Sequence, residues 1–213
     1  MIKLSRFHLF YYIVKFFVLR NINITVDGLE NIPKNQGFII ASNHEHSWDP
    51  VLIAIALRKH IHFLSIYSNF TRTLSRKKWR SDLEKFVFRD SISGIVLRLL
   101  QQIPVLYTDK SMNKKAFLNA SHYLKKGEII GIFPEGELKL KKKKIFPGVA
   151  ILAQRNNAKI LPIHIWTNAP SDTFLKTNFT EVKINIRKPL KFFQSIKYTK
   201  KMVMKEIYSL KND

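Results

Sequence analysis

The chain contains no cysteine in its 213 residues. That excludes a disulfide framework, a thiolate-ligated zinc site and a thiol nucleophile, so nucleophilic chemistry must come from oxygen or nitrogen. It also fits a reducing interior. Acidic side chains are scarce, 15 Asp and Glu against 37 Lys and Arg, for a formal net charge of +22. An excess of that size exceeds what solubility requires and points to polyanionic partners. Nucleic acid, an anionic bilayer and small phosphorylated substrates all present phosphate, so charge alone does not choose among them. Missing as well is an unbroken apolar run of the roughly 20 residues that a spanning helix needs. The nearest approach, residues 7–19 (FHLFYYIVKFFVL), carries Lys15 in its middle and is flanked by Lys3, Arg6 and Arg20. No small-residue cleavage site follows it, as a secretory signal would require.

The pattern predicts a helix over residues 1–21 lying in a membrane interface, with Phe and Tyr in the headgroup boundary and Lys and Arg on lipid phosphates. The competing reading is a helix docked on the protein's own core. Residues 22–213 then form one catalytic domain, since 46% hydrophobic content suffices for one sizeable core.

Short β-rich runs recur along that domain: residues 22–28 (INITVDG), 37–42 (GFIIAS), 61–67 (IHFLSIY), 103–107 (IPVLY), 128–133 (EIIGIF), 159–165 (KILPIHI) and 182–187 (VKINIR). Helical patterns alternate with them, after Pro50, over 83–101, over 113–126 closed by Gly127, over 148–155 and after Tyr198. The alternation predicts an α/β fold with a mixed, largely buried β-sheet flanked by helices, because several strands are apolar on both faces.

The segment ASNHEHSWDP directly follows the strand GFIIAS. His44 therefore leaves the end of a buried strand, and Asp49 stands just before a helix opened by Pro50, the region where α/β sheets hold their sites. A carboxylate five positions on can reach back to the imidazole, set its tautomer and stabilise the charge it gains as a base. Plainer explanations exist: Asp49 as helix N-cap with Pro50 in the first turn, and His44 as a core histidine. A second signal is IFPEGE, where Pro134, Glu135 and Gly136 turn at the end of another buried strand. Gly lets a substrate approach the backbone there, and exposed N–H groups suit a phosphate or an oxyanion. The alternative for this turn is an ordinary surface loop. The lysine run over residues 138–144 is either a solvated face or a holder of phosphate, and Trp48 and Trp79 read as packing or interfacial residues.

Together these motifs resemble the lysophospholipid and glycerol-phosphate acyltransferase family, marked by a His, four residues and an Asp after a strand, then FPEG. The likeness extends to VDGLENIP (26–33), Ile103-Pro104-Val105, FPGVAILAQ (146–154) and Leu161-Pro162-Ile163, in the family's order. It implies an acyltransferase fold with His44 as catalytic base and Asp49 as its partner, and with Asn43, Phe133, Pro134, Glu135, Gly136 and Pro162 at the substrate. No metal or cofactor is implied. The co-substrate would be acyl-CoA or acyl-carrier protein, the acceptor a lysophospholipid, and the place of work the cytoplasmic face of a membrane, peripheral or monotopic, without nucleic acid. Direct transfer needs no protein nucleophile, although Ser42 and Ser47 lie close by in sequence.

Two departures bear on the acceptor. The family usually continues FPEG with Thr and Arg, where this chain has Glu137 and Leu138; Lys139, or another lysine of the run, would then supply the cation. After IPV the usual acidic and basic residues are delayed to Asp109 and Lys110. Two rival functions remain: a metal-dependent hydrolase on His44, His46 and Asp49, needing distant His122 or His164 to complete the shell, and a basic nucleic-acid-binding module, for which no helix-turn-helix, RNP-type or zinc-finger signature is evident.

Overall fold

Runs such as FIIAS and IIGI have no polar face, so they settle only in a sheet covered on both sides. The computed structural model describes residues 16, 20–34, 36–46, 48–66, 101–105, 110–136, 145–168, 180–193 and 195–209. The predicted interfacial helix (apart from Phe16, Arg20 and Asn21), the predicted helix over 83–101 (apart from Gln101), Trp79, Ser47, Lys139 and the rest of the lysine run lie outside them.

The strands are β1 (Asn23–Asp27), β2 (Phe38–Ser42), β3 (Ile61–Ile66), β4 (Ile103–Val105), β5 (Ile129–Ile132), β6 (Lys159–Thr167) and β7 (Glu181–Ile186). The helices are α1 (Asp49–Leu57), α2 (Lys110–Lys125), α3 (Gly148–Asn156) and α4 (Ile196–Tyr208). One seven-stranded sheet results, in the order β1-β7-β6-β2-β5-β3-β4. Every pairing is parallel except β6 with β7, so the sheet is mixed, as predicted. Predicted boundaries hold to within a few residues. The last helix starts earlier than predicted, because Ser195 caps it by accepting the N–H of Tyr198 at 3.1 Å.

Alternation along β2 divides the core. Phe38 and Ile40 pack on the face covered by α1, with Leu52, Ile53 and Ile55. Ile39 and Ala41 face Ala116, Ala120 and Leu124 of α2, Val149 and Leu152 of α3, and Val203 and Ile207 of α4. The one- and two-turn spacing of the α2 residues is the apolar stripe of a surface helix. That helix ends where Gly127 adopts φ 82°, letting the N–H of Glu128 reach the carbonyl of Tyr123 at 3.0 Å.

Gly131 of β5 matters for space. It lies in register with Phe63 of β3, and a Cβ there would come within 2.3 Å of the Phe63 ring. The ring fills the place of the missing side chain and stacks on Phe133, centroids 5.4 Å apart. Gly131→Ala is expected to destabilise the fold by about 1–3 kcal/mol through overpacking, read as a lowered midpoint in denaturant unfolding; an unchanged midpoint would show that Phe63 relocates freely.

Candidate active site

β2 and β5 are adjacent and parallel, so their carboxyl ends open on the same edge of the sheet, and each releases one of the two motifs there. Past Ser42 the chain leaves β2 through Asn43, whose amide copies a backbone ladder. Its Nδ2–H donates to the carbonyl of Ile165 and its Oδ1 accepts the N–H of Ile165, both at 2.8 Å. Asn43 is fully buried. It pins the start of the His44 loop to β6.

The loop then folds round one carboxylate. Asp49, also fully buried, accepts at Oδ2 from the backbone N–H of Glu45 and of His46, each at 2.8 Å, and from His44 Nδ1–H at 2.9 Å. A carboxylate only accepts, so Nδ1 holds the ring hydrogen and Nε2 keeps its lone pair. The capping alternative does not hold: Trp48 occupies the N-cap, no side-chain cap bond forms, and the Asp49 carboxylate reaches back into the loop. Its position in the first turn still places negative charge at the positive end of α1. His46, fully buried, accepts the N–H of Trp48 on Nδ1 at 3.1 Å. That bond staples the loop, and the cluster of His44, His46 and Asp49 proposed for a metal hydrolase is a hydrogen-bonded turn. Trp48 packs in the core.

The second motif meets the first from β5. The Phe133 ring stacks on the His44 imidazole, centroids 4.0 Å apart at 15°. Glu135, only 6% exposed, accepts the backbone N–H of His44 on Oε2 at 3.4 Å. Residues 91 apart in the chain thus share one corner. Gly136 closes the turn with φ 80°, its N–H bonded to the carbonyl of Phe133 at 3.0 Å, and the Pro134 carbonyl accepts the N–H of Phe146 at 2.7 Å. FPEG is therefore tied directly to the segment that opens α3.

Tyr208, in the last turn of α4, donates its hydroxyl to Glu135 Oε1. Burial first, then this bond and the charges of Glu135 and Glu45, push the phenol well above the ordinary tyrosine range, so it keeps its proton and remains a donor. Pro162 is buried in β6 opposite Ala41, and its carbonyl accepts the N–H of Arg187 at 2.9 Å. It lies in the β6 segment paired with β2, one strand from β5. Sequence reading missed Tyr208, Phe63 and Gly131; a tyrosine on the amphipathic face of the last helix carries no local mark of what it meets.

A model of the acyltransferase family matches residues 23–166. The chain belongs to the acyltransferase family. It is similar to the 1-acyl-sn-glycerol-3-phosphate acyltransferase of Bacillus subtilis (strain 168), 24% identical over 140 residues, which cover 65% of this chain and 60% of that protein. The match thus spans about 60% of the relative's length. Among solved structures it resembles the 1-acyl-sn-glycerophosphate acyltransferase PlsC of Thermotoga maritima, with TM-score 0.59 and 22% identity over 90% of this chain and 73% of that one. At that identity the likeness is one of fold.

Within this member of the family, Tyr208→Phe removes a donor from a buried carboxylate. The expected cost is about 1.5–3 kcal/mol of stability, measured by urea unfolding, and it should shrink when Glu135→Gln is made in the same chain; equal costs in both backgrounds would deny the coupling.

Proposed function

We propose that this chain transfers a fatty acyl group from a thioester, acyl-CoA or acyl-carrier protein, to the free hydroxyl of a 1-acylglycerol-3-phosphate-type acceptor. The observation that carries the reading is the bonded corner: a histidine oriented by a buried aspartate, its backbone held by the glutamate of FPEG. In the proposed reaction His44 Nε2 takes the proton of the acceptor hydroxyl as that oxygen attacks the thioester carbonyl. Asp49 stabilises the imidazolium that forms. Collapse of the tetrahedral adduct breaks the carbon–sulfur bond, and the imidazolium returns the proton to the departing thiolate. The products are an ester and a free thiol, and no side chain of the protein is acylated.

Glu135 has both oxygens engaged, which supports a positioning role for it and leaves the base function to His44. The turn at Pro134–Gly136 would then present its backbone to the acceptor headgroup, with Lys139 or a neighbouring lysine as counter-charge in place of the family's arginine. Lysine offers a point charge where arginine offers a planar fork, so this chain should tolerate a wider range of headgroups. Work at the cytoplasmic face of an anionic membrane fits the net charge of +22. Among the described residues no helix is long and apolar enough to cross a bilayer, which is compatible with peripheral attachment.

With a labelled acyl thioester and mixed lysolipid acceptors, His44→Ala is expected to abolish product while circular dichroism stays native; retained turnover in that folded variant would end the proposal. Asp49→Asn leaves a bulky amide that donates where the loop needs an acceptor and disfavours the working tautomer. Turnover should fall on the order of 10³–10⁴-fold, measured beside stability, since the same oxygen also holds the loop; loss of less than tenfold would give Asp49 a purely structural part.

A further inference from the structure

A second cluster of ligating side chains sits at the other end of the sheet. His60 immediately precedes β3 and His62 is its second residue, so the two imidazoles project to one face. Register pairs Ile61 with Ile129, which brings Glu128 alongside His60 on that face. The His62 ring is sandwiched there, stacked on Tyr123 of α2 at 3.9 Å and 9° and met edge-on by His60 at 4.4 Å and 67°. One ligand atom from each of His60, His62 and Glu128 lies within 4.8 Å of the others. Among the described residues this trio gathers metal-ligating atoms; His44, His46 and Asp49 do not form such a group.

The hydrogen bonds of His62 sharpen the reading. A carbonyl only accepts, so Nδ1, 2.9 Å from the Gln101 oxygen, carries a hydrogen. The other nitrogen, Nε2, faces Glu128 Oε2 at 2.5 Å. At that distance the two are hydrogen-bonded, and an ion held by both would take the place of that hydrogen as the side chains part. His60 brings a third donor atom to the same place. A backbone carbonyl fixing the far nitrogen is also the support that metal-bound histidines carry. Two imidazoles and one carboxylate form a donor set suited to zinc. The Glu128 side chain is 37% exposed, so water has access to a fourth position, while the His62 ring is wholly buried.

We propose that His60, His62 and Glu128 form a zinc site that fastens the start of β3 to the start of β5. It lies roughly 15 Å from the His44 corner, the length of β5, and is independent of acyl transfer. Its effect is to brace the strand pair that carries Phe63 and leads to Phe133.

The test uses the untagged chain stripped with a chelator. Zinc is titrated by calorimetry and thermal unfolding, and cobalt(II) by its visible d–d absorption. One equivalent of zinc should bind and raise Tm, and cobalt should show the strong bands of a four-coordinate ion. Both signals should be lost in His60→Ala and in Glu128→Gln, which alter partly exposed side chains, and kept in His44→Ala. Absence of binding would overturn the proposal and leave a proton-bridged His62–Glu128 pair. Binding unchanged in His60→Ala and Glu128→Gln, or lost in His44→Ala, would overturn it by placing the ion elsewhere.

Discussion

One buried oxygen organises the reactive corner. Removing the Asp49 carboxylate from water costs several kcal/mol, and in this fold the offset comes from the donors that converge on Oδ2 and from the first turn of α1. Those donors are two successive backbone N–H groups and the His44 ring, so satisfying the charge also sets the shape of the loop and the tautomer of the imidazole. The loop has little other choice. A conformation that turned the His44 ring away would cost the buried carboxylate one of its three donors.

The remaining contacts hold that loop from three directions. Asn43 extends the β2–β6 ladder by one side-chain step, Phe133 lies flat against the imidazole, and Glu135 ties the His44 backbone to α4 through Tyr208. They reach to β6, to the turn after β5 and to α4, so the ring is located by the packing of the whole domain. The aromatic file from Phe63 through Phe133 to His44 exists because β5 has a glycine where a side chain would stand. A residue with no functional group thereby sets the position of one that has.

The sheet was legible in the sequence because its central strands are apolar on both faces, a pattern that few other structures accommodate. His44, Asp49 and FPEG were legible because each stands immediately after such a strand. The division of labour among their neighbours was not. Asn43, Glu135 and Pro162 all sit within recognisable motifs, yet Asn43 faces Ile165, Glu135 faces Tyr208, and Pro162 pairs with Ala41. Motif spacing reports that residues are near a site; which way a side chain turns depends on partners more than 70 positions away. The direction of β7 was equally hidden, since a strand's run of residues does not state whether its neighbour is parallel.

The edges of the sheet differ in what they demand of folding. Among the described strands β4 stands at one edge, and its Pro104 offers no amide to a neighbour. At the other edge β1 pairs, among the described residues, with β7 alone, Asn23 with Glu181, across most of the chain. The first of the described strands thus has to wait for the last of them before its ladder forms. Contacts of such long loop closure slow folding and leave an unpaired edge exposed meanwhile. The alternating pattern of β1, with every second residue exposed, keeps that waiting strand half polar. It is therefore a poor template for self-association during its solitary interval.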